Sequence, residues 1–153
     1  MMSAVKVLLL AIELALRERD DSARVLQQVR LANDGARQQM EQLESYAAGT
    51  ESRWALPTRS VAAPDTLRNY YQFMGRLEHA ITLQRQVVAD QQRQLVAAQQ
   101  GLLVAEVRMA SLSQLLEKKK QAIRKQQAGR EQKQQDEFAA LQYRRLHVEL
   151  VQE

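Results

Sequence analysis

The sequence predicts an all-α protein: a long antiparallel two-helix coiled-coil hairpin with a C-terminal helical overhang. Three observations predict it. Apolar residues recur three and four apart along most of the chain, both prolines fall inside one short stretch, and a basic run follows the point where the apolar pattern fades. Gln, Arg, Ala and Leu crowd out aromatic and β-branched residues, so helix formers dominate. What such a chain buries is a thin stripe, and the expectation is one elongated domain over 1–153 rather than a compact globule.

The first helix is expected over 4–48. No proline interrupts it, and its stripe reads Leu9, Ile12, Leu16, Ala23, Leu26, Val29, Ala36, Met40, Leu43 and Ala47. On this reading the frame slips by one residue between Leu26 and Val29, and Arg19 and Asn33 fall on the seam. Lys6 with the apolar residues from Val7 to Ile12 imitates the opening of a signal peptide, but Glu13 cuts the run short and no small-residue cleavage site precedes Arg17. No apolar run approaches the roughly 20 residues of a membrane span, so a cytoplasmic protein is expected.

The connector is expected over 49–65, where Pro57 and Pro64 stop the helix. Gly49 suits a helix C-terminus, and Asp65 or Thr66 suits the N-terminus of the next helix.

The second helix is expected over 66–146, and its heptad alternates four and three without a slip. It runs Tyr70, Met74, Leu77, Ile81, Gln84, Val88, Gln91, Leu95, Ala98, Leu102, Ala105, Met109, Leu112, Leu116, Lys119 and Ile123. At 1.5 Å per residue the first helix spans roughly 65 to 70 Å and the second roughly 120 Å. An antiparallel pair then sets Val5 near Ser111 or Leu112 and leaves an overhang after about Leu116. At that point the basic run begins: Lys118, Lys119, Lys120, Arg124, Lys125, Arg130 and Lys133, against Glu131 alone. A solvated helix face accounts for it most simply, and an acidic partner is the functional alternative. Nucleic acid is the weaker alternative, because neither stacking aromatics nor Gly-rich loops accompany the charge.

Catalytic chemistry is not expected. His79 and His147 stand far apart with no metal-ligand spacing around them, cysteine is absent, and the isolated glycines form no phosphate-binding loop. A two-helix rod also has no concave interior in which polar groups could converge. No cofactor or metal is expected.

The stretch Asn69-Tyr70-Tyr71-Gln72-Phe73-Met74-Gly75-Arg76-Leu77-Glu78-His79-Ala80-Ile81-Thr82 resembles the NYxxFxxxLExAI pattern of the FliJ family of flagellar type III export proteins. Glu18 to Arg24, leading through Gln39, Met40, Gln42 and Leu43 to Tyr46, is similar to that family's first helix, and Asp136-Glu137-Phe138-Ala139 to its usual ending. The resemblance implies a non-catalytic helical hairpin like the stalk of a rotary ATPase γ subunit. It implies a cytoplasmic component, peripheral to the inner membrane through its partners, linking the hexameric export ATPase FliI to the gate protein FlhA and handling late-substrate export chaperones. Carried over by position, the gate-contacting residues are Gln39, Leu43, Tyr46, Phe73, Leu77 and Ala80. Thr50 departs from a position where the family often has tyrosine, and Gln84 from one where histidine occurs. Candidates for the ATPase contact are Arg17, Arg19 and Arg24 on the first helix and Lys118, Lys119, Lys120, Arg124 and Lys125 on the second. An injectisome stalk protein and a basic coiled-coil scaffold or nucleic-acid binder remain the alternatives.

Overall fold

The computed structural model describes residues 2–152. They form three helices, α1 (Met2–Arg53), α2 (Leu56–Val61) and α3 (Pro64–Gln152), and no strand occurs among them. The described residues are all-α, and α1 and α3 pack against each other. Its contacts divide it into two units, one of Glu18–Ala105, the other of Met1–Arg17 with Glu106–Glu153.

In the unit Glu18–Ala105 the two helices run antiparallel. Tyr46 meets Phe73, Ala36 and Gln39 meet Gln84, and Arg37 meets Gln92, so numbers fall on α1 as they rise on α3. On α3 every expected seam position of this unit, from Tyr70 to Ala105, is buried or half-buried. Tyr70, Met74, Leu77 and Ile81 form the best-covered cluster, with Met40, Leu43, Ala47 and Trp54 packed on it. The α1 seam runs Arg19, Ser22, Leu26, Val29, Asn33, Ala36, Met40, Leu43, Ala47 and Thr50, alternating three and four throughout.

That register corrects the expected stripe of α1. Leu9, Leu16 and Ala23 are exposed, whereas Leu8, Ala15 and Ser22 take the covered positions beside them. The frame slip disappears with them. An unbroken four-three alternation keeps one face toward the partner helix, and the chain keeps it by accepting small or polar residues at Ala15, Arg19 and Ser22. In the unit containing the chain ends, Val5, Leu8, Ile12 and Ala15 on α1 are covered, as are Met109, Leu112, Leu116 and Ile123 on α3. Lys119 is exposed, and so is every described residue from Arg124 onward.

The connector also differs from expectation. α1 continues through Gly49 to Arg53, and no glycine has the positive φ that a left-handed helix cap requires. Thr50 supports this last turn by donating its hydroxyl to the Tyr46 carbonyl at 2.8 Å and accepting from Arg53 Nη2 at 3.4 Å. Pro57 lies in the first turn of α2, where a missing amide hydrogen costs nothing. Pro64 opens α3, with the Ala63 carbonyl accepting from the Leu67 amide at 3.0 Å. Asp65 therefore sits inside the first turn, where its carboxylate faces the positive end of the helix dipole, instead of capping it, and Thr66 follows it there.

Candidate functional site

The connector end is held by a cluster that sequence reasoning missed. The Trp54 ring stacks on Tyr70 with centroids 4.9 Å apart and planes at 23°, and the Arg59 guanidinium lies 5.3 Å from the Tyr70 centroid. Arg59 also donates through Nε to the Trp54 carbonyl at 2.5 Å and through Nη2 to the Tyr70 hydroxyl at 3.4 Å. One arginine from α2 thus ties the end of α1 to the start of α3, a cation–π contact strengthened by two hydrogen bonds. The available signal was the chain's single tryptophan inside the proline-bounded stretch.

Against this clasp, the six residues carried over for the gate contact separate into two kinds. Tyr46 and Phe73 are exposed, at 54% and 39%, and their rings meet edge to face with centroids 5.8 Å apart. Gln39 is exposed beside them and Ala80 half-buried. Leu77, by contrast, is 7% exposed and belongs to the core cluster, and Leu43 packs on that cluster from α1. The two leucines belong to the core of the helix pair and not to its exposed surface. Gln84 donates through Nε2 to the Ala36 carbonyl at 2.9 Å and to Gln39 Oε1 at 3.3 Å, which pins Gln39 at the edge of the patch. Gln39, Gln42, Leu43, Tyr46 and Gln84 line a hollow there. Thr50 is buried on the seam, so the position where the resemblance expected tyrosine faces inward.

The two flanks of the seam in this unit carry opposite chemistry. One flank is charged: Arg30, Arg37, Glu44 and Glu51 follow one another at heptad spacing on α1, with Glu78, Arg85, Gln92 and Gln99 on α3. Arg37 donates across it to Gln92 at 3.1 Å. The other flank begins with Glu18 on α1 and continues with Val25, Ala32, Gln39 and Tyr46, with Phe73, Ala80, Val87, Gln94 and Gly101 on α3; after Glu18 it carries no charge at these positions. Farther along this uncharged flank a second hollow opens, lined by Ser22, Val25, Val29, Ala97, Ala98 and Gly101 and edged by Asp21 and Gln94.

The basic candidates divide between the units. Arg19 and Arg24 lie in Glu18–Ala105, Arg19 half-buried against Asp20 at 3.0 Å and Arg24 exposed against Asp21 at 3.3 Å. Arg17 belongs to the other unit and pairs with Glu13 at 2.9 Å. Lys118, Lys119, Lys120, Arg124 and Lys125 share that unit and are all exposed, with Arg124 3.3 Å from Glu117. Exposed ion pairs of this kind contribute at most about 1 kcal/mol, so these side chains are free to exchange partners. Among the described residues no group of His, Cys, Asp and Glu is arranged to hold a metal ion, and no helix is long and apolar enough to cross a membrane.

One comparison with known proteins places the chain. The family model described as flagellar FliJ protein matches residues 6–147. No curated protein and no solved structure matches the chain.

Proposed function

The chain belongs to the FliJ family of flagellar type III export proteins, and on that premise we propose that it is a non-catalytic coupling stalk between the hexameric export ATPase and the export gate. In this reading it is a coiled-coil hairpin whose connector end touches the cytoplasmic domain of the gate protein FlhA. Its segment after about Leu116 is left for a partner. The basic residues Arg17, Arg19, Arg24, Lys118, Lys119, Lys120, Arg124 and Lys125 meet the ATPase FliI, drawn by acidic surface around its ring. Late-substrate export chaperones are further cargo, and the protein reaches the inner membrane only through these partners.

The observation that carries this reading is the family match along nearly the whole chain. It is supported at the connector end by a pair of exposed aromatic rings in mutual contact, the residue type in which binding energy concentrates in protein contacts. A coupling element must also resist bending, and the continuous seam supplies that resistance.

Two measurements test it. The full-length chain should raise ATP turnover by the purified FliI hexamer, and should capture the purified cytoplasmic domain of FlhA. Tyr46→Ala with Phe73→Ala should abolish the capture and leave the ATPase response intact, because both rings stand outside the core. Capture undiminished by the double substitution would remove the gate assignment, and an ATPase indifferent to the chain would remove the coupling.

A further inference from the structure

We infer that, in the unit Glu18–Ala105, the flank that carries no charge from Val25 to Tyr46 on α1 and from Phe73 to Gly101 on α3 is a helix-docking groove that extends the connector-end surface as far as Val25 and Gly101. Its occupant is one amphipathic helix of the gate protein's cytoplasmic domain, presenting an uncharged aliphatic face. This inference rests on the gate-binding reading given above.

The first argument is continuity. The hollow beside Tyr46 and the hollow beside Val25 open on the same flank of the same helix pair, and between them stand Ala32, Ala80 and Val87 with no charged residue at the flanking heptad positions. From Leu43 to Val25 the distance along α1 is about 27 Å, so a helix of about 18 residues reaches from one hollow to the other. A ligand seated on the Tyr46–Phe73 pair and running along the hairpin meets the second hollow without crossing a charged heptad position.

The second argument is charge. An ordinary exposed flank of a coiled coil carries Glu, Lys or Arg, as the opposite flank does here with Arg30, Arg37, Glu44 and Glu51. Val25 and Val87 occupy such flanking positions and are 50% and 43% exposed. A partner that covers the heptad positions from Val25 to Tyr46 desolvates no ion there, Asp21 standing at the edge of the second hollow, and a partner helix with an aliphatic stripe is what such a surface fits.

The third argument is shape. The second hollow exists because Ala97, Ala98 and Gly101 are small, and a Cβ built at Gly101 meets nothing within 4 Å. A twofold pairing centred on this hollow would set hollow against hollow and leave the space unfilled. A helix carrying Leu or Ile at three-four spacing fills it.

The experiment titrates the purified cytoplasmic domain of the gate protein against the full chain. Gly101→Arg and Val25→Arg should each weaken binding about tenfold or more, while Gln99→Arg on the charged flank should leave it within about twofold, all three melting like the parent. Since Gly101 has open space and an ordinary helical φ, the arginine is accommodated in the free chain. A second measurement does not depend on arginine: the chain has no cysteine, so Gly101→Cys carries a single environment-sensitive dye, whose emission should shift on adding the gate domain and not on raising the chain's own concentration. If Gly101→Arg and Val25→Arg bind like the parent, or the dye stays silent, while Tyr46→Ala with Phe73→Ala still abolishes binding, the groove is overturned and the connector-end contact stands. If the parent does not bind the gate domain, both fall. A dye shift produced by self-concentration alone overturns the choice of occupant in favour of a second copy.

Discussion

Two stretches of α3 show how differently the same helix can be maintained. Between Tyr70 and Ile81 the residues Tyr70, Met74, Leu77 and Ile81 are all buried and rest against Met40, Leu43, Ala47 and Trp54. Between Phe138 and Val151 the chain is at least as apolar, yet Phe138, Leu141, Tyr143, Leu146, Val148 and Leu150 are all more than half exposed. The first stretch is helical because tertiary packing covers its stripe. The second is helical by propensity and by continuation of the helix before it, aided by such local contacts as the parallel stacking of Tyr143 on His147. Apolar content alone therefore does not report stability here; the partner across the seam does.

The largest effect is expected where that partner is removed by charge. Ile81→Asp with Leu95→Asp places two carboxylates on the seam of one unit, and the expected result is loss of most helicity and of the cooperative melt by circular dichroism. Unchanged helicity and melting would show that the seam does not hold the fold. A milder cut sharpens the contrast between the stretches. Leu77→Ala should cost about 2 to 5 kcal/mol in urea unfolding, whereas Phe138→Ala should cost less than about 0.5 kcal/mol. Equal losses would mean that the final stretch is packed after all. Hydrogen exchange gives the same comparison without mutation: amides after Arg124 should exchange much faster than those between Tyr70 and Ile81. The smallest effect has the opposite sign. Asn33 is 4% exposed and its Oδ1 has no hydrogen-bond partner, so Asn33→Leu should raise stability by about 1 kcal/mol, read as an upward shift of the melting midpoint. A destabilised Asn33→Leu chain would show that the amide makes a contribution its geometry does not reveal.

On α3 the seam was legible residue by residue from Tyr70 to Leu116, because Leu, Ile, Val and Met recur on one frame long enough to exclude the neighbouring ones. On α1 the reading went one residue astray before Leu26. Leu9 and Leu16 are bulkier than Leu8 and Ala15 taken together, and a stripe chosen by hydrophobicity follows bulk, whereas the packed seam follows the frame set farther along by Leu26, Asn33 and Met40. The connector was read as a place but not as a mechanism. Its prolines announce an interruption, while the stacking of Trp54, Arg59 and Tyr70 depends on three residues that meet only once the chain has turned. At the candidate site, the positions of Tyr46 and Phe73 came from resemblance to a family. That Leu43 and Leu77 belong to the core and not to the surface needed the packed helices. The uncharged flank could have been found in the sequence, by reading the residues adjoining the seam at heptad spacing as closely as the seam itself.

Helical class, the interruption at the prolines and the frame of α3 follow from the sequence alone, since propensity and periodicity are local and repeat too often here to be accidental. Which of two adjacent apolar stripes on α1 faces inward, and which flank of the pair is left without charge, was decided only by packing. A helix shows the same spacing to every direction, and a face becomes the inner one only when another helix occupies it.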